Sequence, residues 1–243
     1  MKTTSTTSNF SAGKFIKQVT LAAVMGASSL AHAGVLDFEP PVDSPFVFNG
    51  DHIQLGQYWI EAYDGTAGAG YTGAIVDGSD NGLCASDMQC PVNNGSNYYA
   101  SLNDSYFYFG LNDGATFRLT SLMASFIGAG QASFPSISGL LVLQGFDAAD
   151  HAVGAAKQLG LNGPNGTGQF NFANYDLGSF GNNVVSYVRV LGYACNAAGN
   201  CTRSSGLANF GIDNLVTVPE PTSWALLGLG LLGMGAFSRR RAV

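Results

Sequence analysis

Residues 116–125 read Thr-Phe-Arg-Leu-Thr-Ser-Leu-Met-Ala-Ser, ten residues with no glycine or proline to interrupt them. In an extended chain successive side chains alternate, so Phe117, Leu119 and Ser121 share one face and Arg118 and Thr120 the other. That is the pattern of a half-buried strand. Val184–Leu191 repeats it, with Tyr187, Arg189 and Leu191 opposing Val188 and Val190. Leu140–Phe146 is nearly all apolar and is expected to be a central strand covered on both faces. It then turns through Asp147-Ala148-Ala149-Asp150 towards Val153, the signature of a hairpin.

Outward from these three, further strands are expected near Val35–Phe38, Phe46–Phe48, Ile53–Leu55, Trp59–Ala62, Tyr98–Leu102, Tyr106–Phe109, Val153–Leu159, Gln169–Phe172 and Ala208–Val218. No window between residues 34 and 218 sustains a 3.6-residue apolar period beyond two turns. A dozen short strands and no fixed repeat point to an all-β fold, a single jelly-roll-like β-sandwich. Residues 64–97, with seven glycines, and 160–168 are expected to be long loops.

Charge separates the middle of the chain from its ends. Between residues 34 and 218 stand Arg118, Lys157, Arg189 and Arg203 against fifteen carboxylates, a balance of −11. Such a segment has no basic face for nucleic acid or for anionic lipid. The ends read as addresses. Lys14 and Lys17 precede an apolar run from Val19 to Leu30 and then Ala31-His32-Ala33, the layout of a signal peptide over residues 1–33 with signal peptidase cutting between Ala33 and Gly34. At the other end stand Pro219-Glu220-Pro221, an apolar stretch Trp224–Phe237 and Arg239-Arg240-Arg241. As a helix, that stretch covers about 21 Å of a hydrocarbon core of roughly 30 Å, which suits transient insertion of residues 223–238 with the arginines held inside.

Residues 218–243 resemble the PEP-CTERM sorting signal of Gram-negative bacteria: a Pro-Glu-Pro motif, a short hydrophobic helix and a basic cluster, in that order. The resemblance implies export through the inner membrane, processing by an exosortase, and release to the cell surface or matrix. Proteins of this kind are commonly associated with exopolysaccharide and biofilm. The domain is then residues 34–217.

The four cysteines form two pairs of equal spacing, Cys84…Cys90 and Cys195…Cys201. In an oxidising compartment two local disulfides are expected out of three connectivities; a zinc site is disfavoured because C-x5-C is not the usual clip.

The domain opens Val35-Leu36-Asp37-Phe38-Glu39 and closes Phe210-Gly211-Ile212-Asp213-Asn214-Leu215. This pairing resembles jelly-roll carbohydrate-binding modules and MAM-type domains, where first and last strands lie together and their carboxylates hold a structural Ca²⁺. The resemblance implies Glu39 and Asp213 as ligands, with Asp37 or Asp64 added. Asp77-Gly78-Ser79-Asp80-Asn81-Gly82 lacks the EF-hand pattern and is expected to be an Asx turn.

Catalysis has little support: His52 and His151 belong to no triad or metal spacing, and no partner carboxylate can be assigned to Glu61 or Asp64. Aromatic doublets are the better clue, because neighbouring rings fall on opposite strand faces. Tyr58, Trp59, Tyr98 and Tyr99 are therefore the candidate glycan contacts, although Ile60 and the usual burial of tryptophan favour a core place for Trp59. The expectation is a non-enzymatic surface or matrix protein that meets extracellular polysaccharide. The alternatives are a structural adhesin that binds other surface proteins and a surface glycan hydrolase.

Overall fold

A computed structural model of the chain describes residues 33–65, 68, 70–80 and 88–220. The signal peptide through His32, the apolar stretch Trp224–Phe237, Cys84, Pro221 and Arg239–Arg241 lie outside the described residues. So do Ala31 and the last two residues, Asn81 and Gly82, of the Asp77–Gly82 turn. Among the described residues no helix is long and apolar enough to cross a membrane.

The fold is an all-β sandwich of two antiparallel sheets, as the alternation requires. The first sheet runs β12 (Ala173–Asp176), β9 (Phe117–Ala129), β15 (Asn209–Pro219), β7 (Asn97–Ser101), β5 (Tyr71–Asp77) and β2 (Phe46–Phe48). β1 (Gly34–Leu36) continues the line of β7 along β15, and β6 (Met88–Gln89) adds to β9. The second sheet runs β11 (Ala152–Asn162), β10 (Ile137–Phe146), β13 (Tyr187–Cys195), β8 (Tyr106–Leu111), β4 (Tyr58–Tyr63) and β3 (His52–Leu55). A two-residue strand, β14 (Cys201–Thr202), pairs with β13. From β7 onward the chain passes repeatedly between sheets, giving the orders β7-β15-β9-β12 and β8-β13-β10-β11. First and last strands are neighbours, Leu36 opposite Leu215.

Between the sheets lies the main core. Phe107 and Phe109 point in from β8, and Phe107 meets Tyr99 at 4.9 Å and Phe210 at 6.3 Å between ring centroids, tying the sheets together. Each buried ring of this size contributes about 1.5–3 kcal/mol by leaving water. A smaller apolar cluster covers the outer side of the first sheet, where Phe172 packs on Tyr98 at 5.1 Å with Ala100, Leu102 and Ile127 around them.

Four strand expectations change. Tyr71–Asp77, read as loop because of its glycines, is a strand inside the first sheet, with Thr72 to Val76 all buried. Gly73 is there for packing: a Cβ on it would stand 2.5 Å from the Tyr99 hydroxyl and 2.6 Å from the Ala100 carbonyl oxygen. On β9 the alternation holds from Phe117 to Thr120, after which Leu122, Ala124 and Phe126 become the inward set. The ladder to β15 shifts at the same place, once between Asp213 and Val216 and again between Val216 and Thr217. Asn214, at φ +49°, is the extra residue of the first bulge. β10 is central in its sheet but covered on one face only, Leu140, Val142, Gln144 and Phe146 being half-buried. Gln169–Phe172 precedes β12 as irregular chain, because Phe170 and Phe172 plug the ends of the two apolar clusters.

Candidate functional site: an aromatic face on the second sheet

Alternation that sends Phe107 and Phe109 inward sends Tyr106 and Tyr108 outward, and the register aligns them with rings on the neighbouring strands. Tyr63 stands opposite Tyr106 and stacks on it, with centroids 5.6 Å apart. Tyr108 meets Tyr187 edge-on at 5.8 Å, and Tyr187 stacks on Phe146 at 5.1 Å. Trp59 lies opposite Gly110, where a Cβ would come within 2.8 Å of two indole atoms. The indole therefore lies over bare backbone, and His52 stacks beside it at 5.8 Å. Trp59, Tyr63, Tyr106, Tyr108, Phe146 and Tyr187 are half-buried, and His52 is exposed. The result is a continuous aromatic floor across β3, β4, β8, β13 and β10.

Polar groups punctuate this floor. One row across the sheet is Glu61, Tyr108, Arg189 and Gln144. The Tyr63 hydroxyl donates to Glu61, and that bond, ahead of burial, raises the Tyr63 pKa to about 12. Burial first, then a hydrogen bond to Asp150 of 2.7 Å, raises Tyr187 to about 12. Both phenols stay protonated donors at physiological pH. Arg189 lies 5.6 Å from the Phe146 ring centroid.

The doublet rule holds for Trp59, which faces outward and not into the core, and it is corrected for three other expected glycan contacts. Tyr58 is 2% exposed because β4 sends it inward with Ile60 and Ala62, and its hydroxyl meets Thr217 Oγ1 at 2.7 Å. Tyr99 is fully buried between Phe38 and Phe107. Tyr98 does point away from the main core, but Phe172 covers it. Tyr63 and Tyr187 were missed; the strand parity set by Ile60 and Val188 would have found them.

A second constellation gathers where β1 meets β15. Asp213 is 0% exposed on the covered side of the first sheet. Its Oδ2 accepts from Asn94 Nδ2 at 2.8 Å and Ser96 Oγ at 3.0 Å, and its Oδ1 from the Asn214 N–H at 2.7 Å. Burial, partly offset by these bonds and reinforced by the charge of Asp37, raises its pKa. Glu39 accepts from the Asn97 N–H at 2.7 Å and from Asn97 Nδ2 at 3.3 Å, and Asp37 from the Glu39 N–H at 3.3 Å. Glu39, Asp213 and Asp37 thus share one end of the sandwich, yet among the described residues no three His, Cys, Asp or Glu side chains form a metal-holding group. Asp64 is elsewhere, its N–H on Asn49 Oδ1. Asp77 and Asp147 cap turns, as expected: Asp77 accepts from the Ser79 hydroxyl and N–H, and Asp147 from the N–H groups of His151 and Ala149, which lowers both pKa values.

Cys195 and Cys201 are joined by a disulfide across the β13–β14 hairpin. Of the other pair, Cys90 is disulfide-bonded, while Cys84 lies outside the described residues. Gly34, the expected mature N-terminus, is the first residue of β1. At the far end β15 runs to Pro219, opposite Phe117, and the Glu220 N–H donates to the Thr116 carbonyl at 3.2 Å.

Residues 217–241 match the PEP-CTERM protein-sorting motif. The chain carries this sorting signal. The signal implies an exported protein sorted to the cell surface and processed by an exosortase. Pro219 and Glu220 of the signal are continuous with the last strand of the sandwich. No curated protein matches the chain. Among solved structures the sandwich is similar to a DUF4465 family protein from Bacteroides caccae, at 14% identity, covering 78% of this chain and 100% of that one with a TM-score of 0.52. That likeness shows the two-sheet fold. Weaker likenesses are to the C-terminal domain of a chitobiase from Bacteroides fragilis (12% identity, 68% and 99% coverage, TM-score 0.31) and to a fucose-binding module from Streptococcus pneumoniae (16%, 50% and 70%, 0.26).

Proposed function

We propose that the domain is a jelly-roll glycan-binding module without enzymatic activity, sorted to the cell surface to hold extracellular polysaccharide. The aromatic floor of the second sheet carries this reading. Flat rings left open on a sheet face suit the apolar faces of sugar rings, while Glu61, Gln144 and the protonated tyrosines offer hydrogen bonds to hydroxyls. The floor would contact the sugar through Trp59, Tyr63, Tyr106, Tyr108 and Tyr187. Glu61 has His52 and Tyr108 as its cross-strand neighbours, not the second carboxylate that glycoside hydrolysis needs within about 5–9.5 Å. Retention on a glycan array that is abolished by Trp59→Ala, with unchanged melting, supports the reading; a blank array for the wild-type chain overturns it.

A structural Ca²⁺ is a second element of the proposal, favoured by the buried Asp213 carboxylate beside Asp37. Glu39 and Asp37 keep free lone pairs, whereas the Asp213 oxygens are engaged, so an ion there would draw on backbone carbonyls as well. A chelator that leaves the melting temperature unmoved removes this element and leaves the glycan reading intact.

A further inference from the structure

Resting on the glycan reading, we infer that the aromatic floor selects an acidic polysaccharide, one bearing uronate carboxylates, and that Arg189 is the residue that reads them. The domain has three arginines, and two are committed to the fold. Arg118 pairs with Glu220 at 2.6 Å. Arg203 donates from Nη2 to the Asp104 carbonyl at 2.6 Å and lies over the Tyr106 ring. Arg189 has neither an ion pair nor a hydrogen bond among the described residues; its Nε is buried without a partner, and its guanidinium lies over the face of Phe146.

The surroundings explain why Arg189 stays uncommitted. Glu61 lies in the same row but two strands away, which at roughly 4.8 Å per strand puts about 10 Å between the two backbones. Tyr108 stands between them, and Glu61 already accepts from Tyr63. At the hairpin tip Asp150 is taken by Tyr187 and Asp147 by the turn and His151. Arg189 is thus a fixed cation flanked by rings, half-withdrawn from water, on a domain whose net charge is otherwise strongly negative. A guanidinium so placed matches a planar carboxylate through paired N–H donors. A sugar stacked on the neighbouring rings would bring a uronate carboxylate to it, while a neutral sugar would leave its donors unmatched.

The test uses polygalacturonate, its fully methyl-esterified form and dextran as probes for the full-length chain in affinity electrophoresis, with wild type, Arg189→Gln and Trp59→Ala compared. Expected are binding to polygalacturonate at least tenfold tighter than to the ester, and a fall to the ester level in Arg189→Gln at unchanged melting temperature. Equal binding of acid and ester, or an Arg189→Gln chain that holds polygalacturonate as wild type does, overturns the uronate proposal while leaving a neutral-glycan site standing. Failure to bind any of the three polymers overturns the proposal; loss of glycan-array binding as well overturns the reading beneath it. Should Arg189→Gln melt early, Arg189→Lys serves instead, with the charge kept but the fork lost and an intermediate affinity expected.

Discussion

Arg118 Nε lies 2.6 Å from Glu220 Oε1, so the acidic residue of the Pro-Glu-Pro motif is paired with the second residue of β9. The contact is Coulombic, since the Nε–H is not aimed at the oxygen. With the side chains 43% and 27% exposed, water and salt screen it, and an exposed pair of this kind is worth about 0.2–1 kcal/mol. Arg118→Ala should lower the melting temperature by no more than about 3 °C at low salt and by nothing measurable in concentrated salt. Amide exchange at Glu220 should quicken at the same time, as its N–H loses the support that holds it to Thr116. A large, salt-independent loss of stability would contradict this account.

Asp213→Ala should be costly. It leaves the Asn94 amide, the Ser96 hydroxyl and the Asn214 N–H without the acceptor they share. Each unsatisfied buried donor costs about 1–3 kcal/mol, and partial rehydration of the site limits the total. A fall in melting temperature of roughly 5–10 °C is expected in thermal unfolding.

The same residue gives a pH signature. Its folded pKa lies above the ordinary 3.8, so the folded state takes up the proton first. Between the raised value and 3.8 the folded chain therefore holds a proton that the unfolded chain lacks, and stability gains as pH falls through that window. Asp77 and Asp147, whose values are lowered, act the other way: they favour the fold above the ordinary carboxylate range and lose that contribution as pH falls through their folded values. Denaturant titrations of wild type and Asp213→Asn should differ in slope on the acid side, the wild type losing less stability on acidification.

Gly73→Ala tests the unexpected strand. A methyl group there would press on the Tyr99 hydroxyl and the Ala100 carbonyl, both held inside the first sheet, and overpacking of this kind costs about 1–3 kcal/mol. Gly68, at φ +77° with open space around it, is the control for a turn glycine, where the cost of alanine is conformational alone.

The Cys195–Cys201 bridge closes a short loop that Asn196 already shapes, its Oδ1 accepting from the N–H groups of Ala198 and Asn200 at 3.0 Å each. Replacing both cysteines by alanine should cost about 2–2.5 kcal/mol, the loop-closure figure for so short a span. Adding Asn196→Ala should then remove more than it does in the bridged chain, since turn and disulfide restrain the same residues.

Strand parity was legible wherever a run of residues stayed clear of glycine, which is why Phe46–Phe48 and the rings of β8 could be assigned from sequence. Tyr71–Asp77 was not, because flanking glycines imitate a loop and the need for Gly73 comes from Tyr99, distant in sequence. Parity also says which of two neighbouring rings points away from the core, but not whether something covers it. Trp59 is left open and Tyr98 is covered by Phe172, and that difference depends on a segment more than seventy residues downstream of Tyr98. Asp213 was readable as a carboxylate in apolar company; its clasp by Asn94 and Ser96 was not, for those residues sit in a stretch that shows no periodic pattern.

The twin bulges between β9 and β15 cancel in register, one residue gained on each strand, so beyond them the ladder resumes as though nothing had been inserted. Strict alternation from the inward Ile212 would turn Leu215 and Thr217 away from the core; the extra Asn214 returns both to it, and the extra residue on β9 does the same for Leu122 relative to Leu119. The two irregularities therefore act as one splice: each strand joins two core-facing runs at an odd spacing, Leu119 to Leu122 and Ile212 to Leu215, and the ladder between them survives.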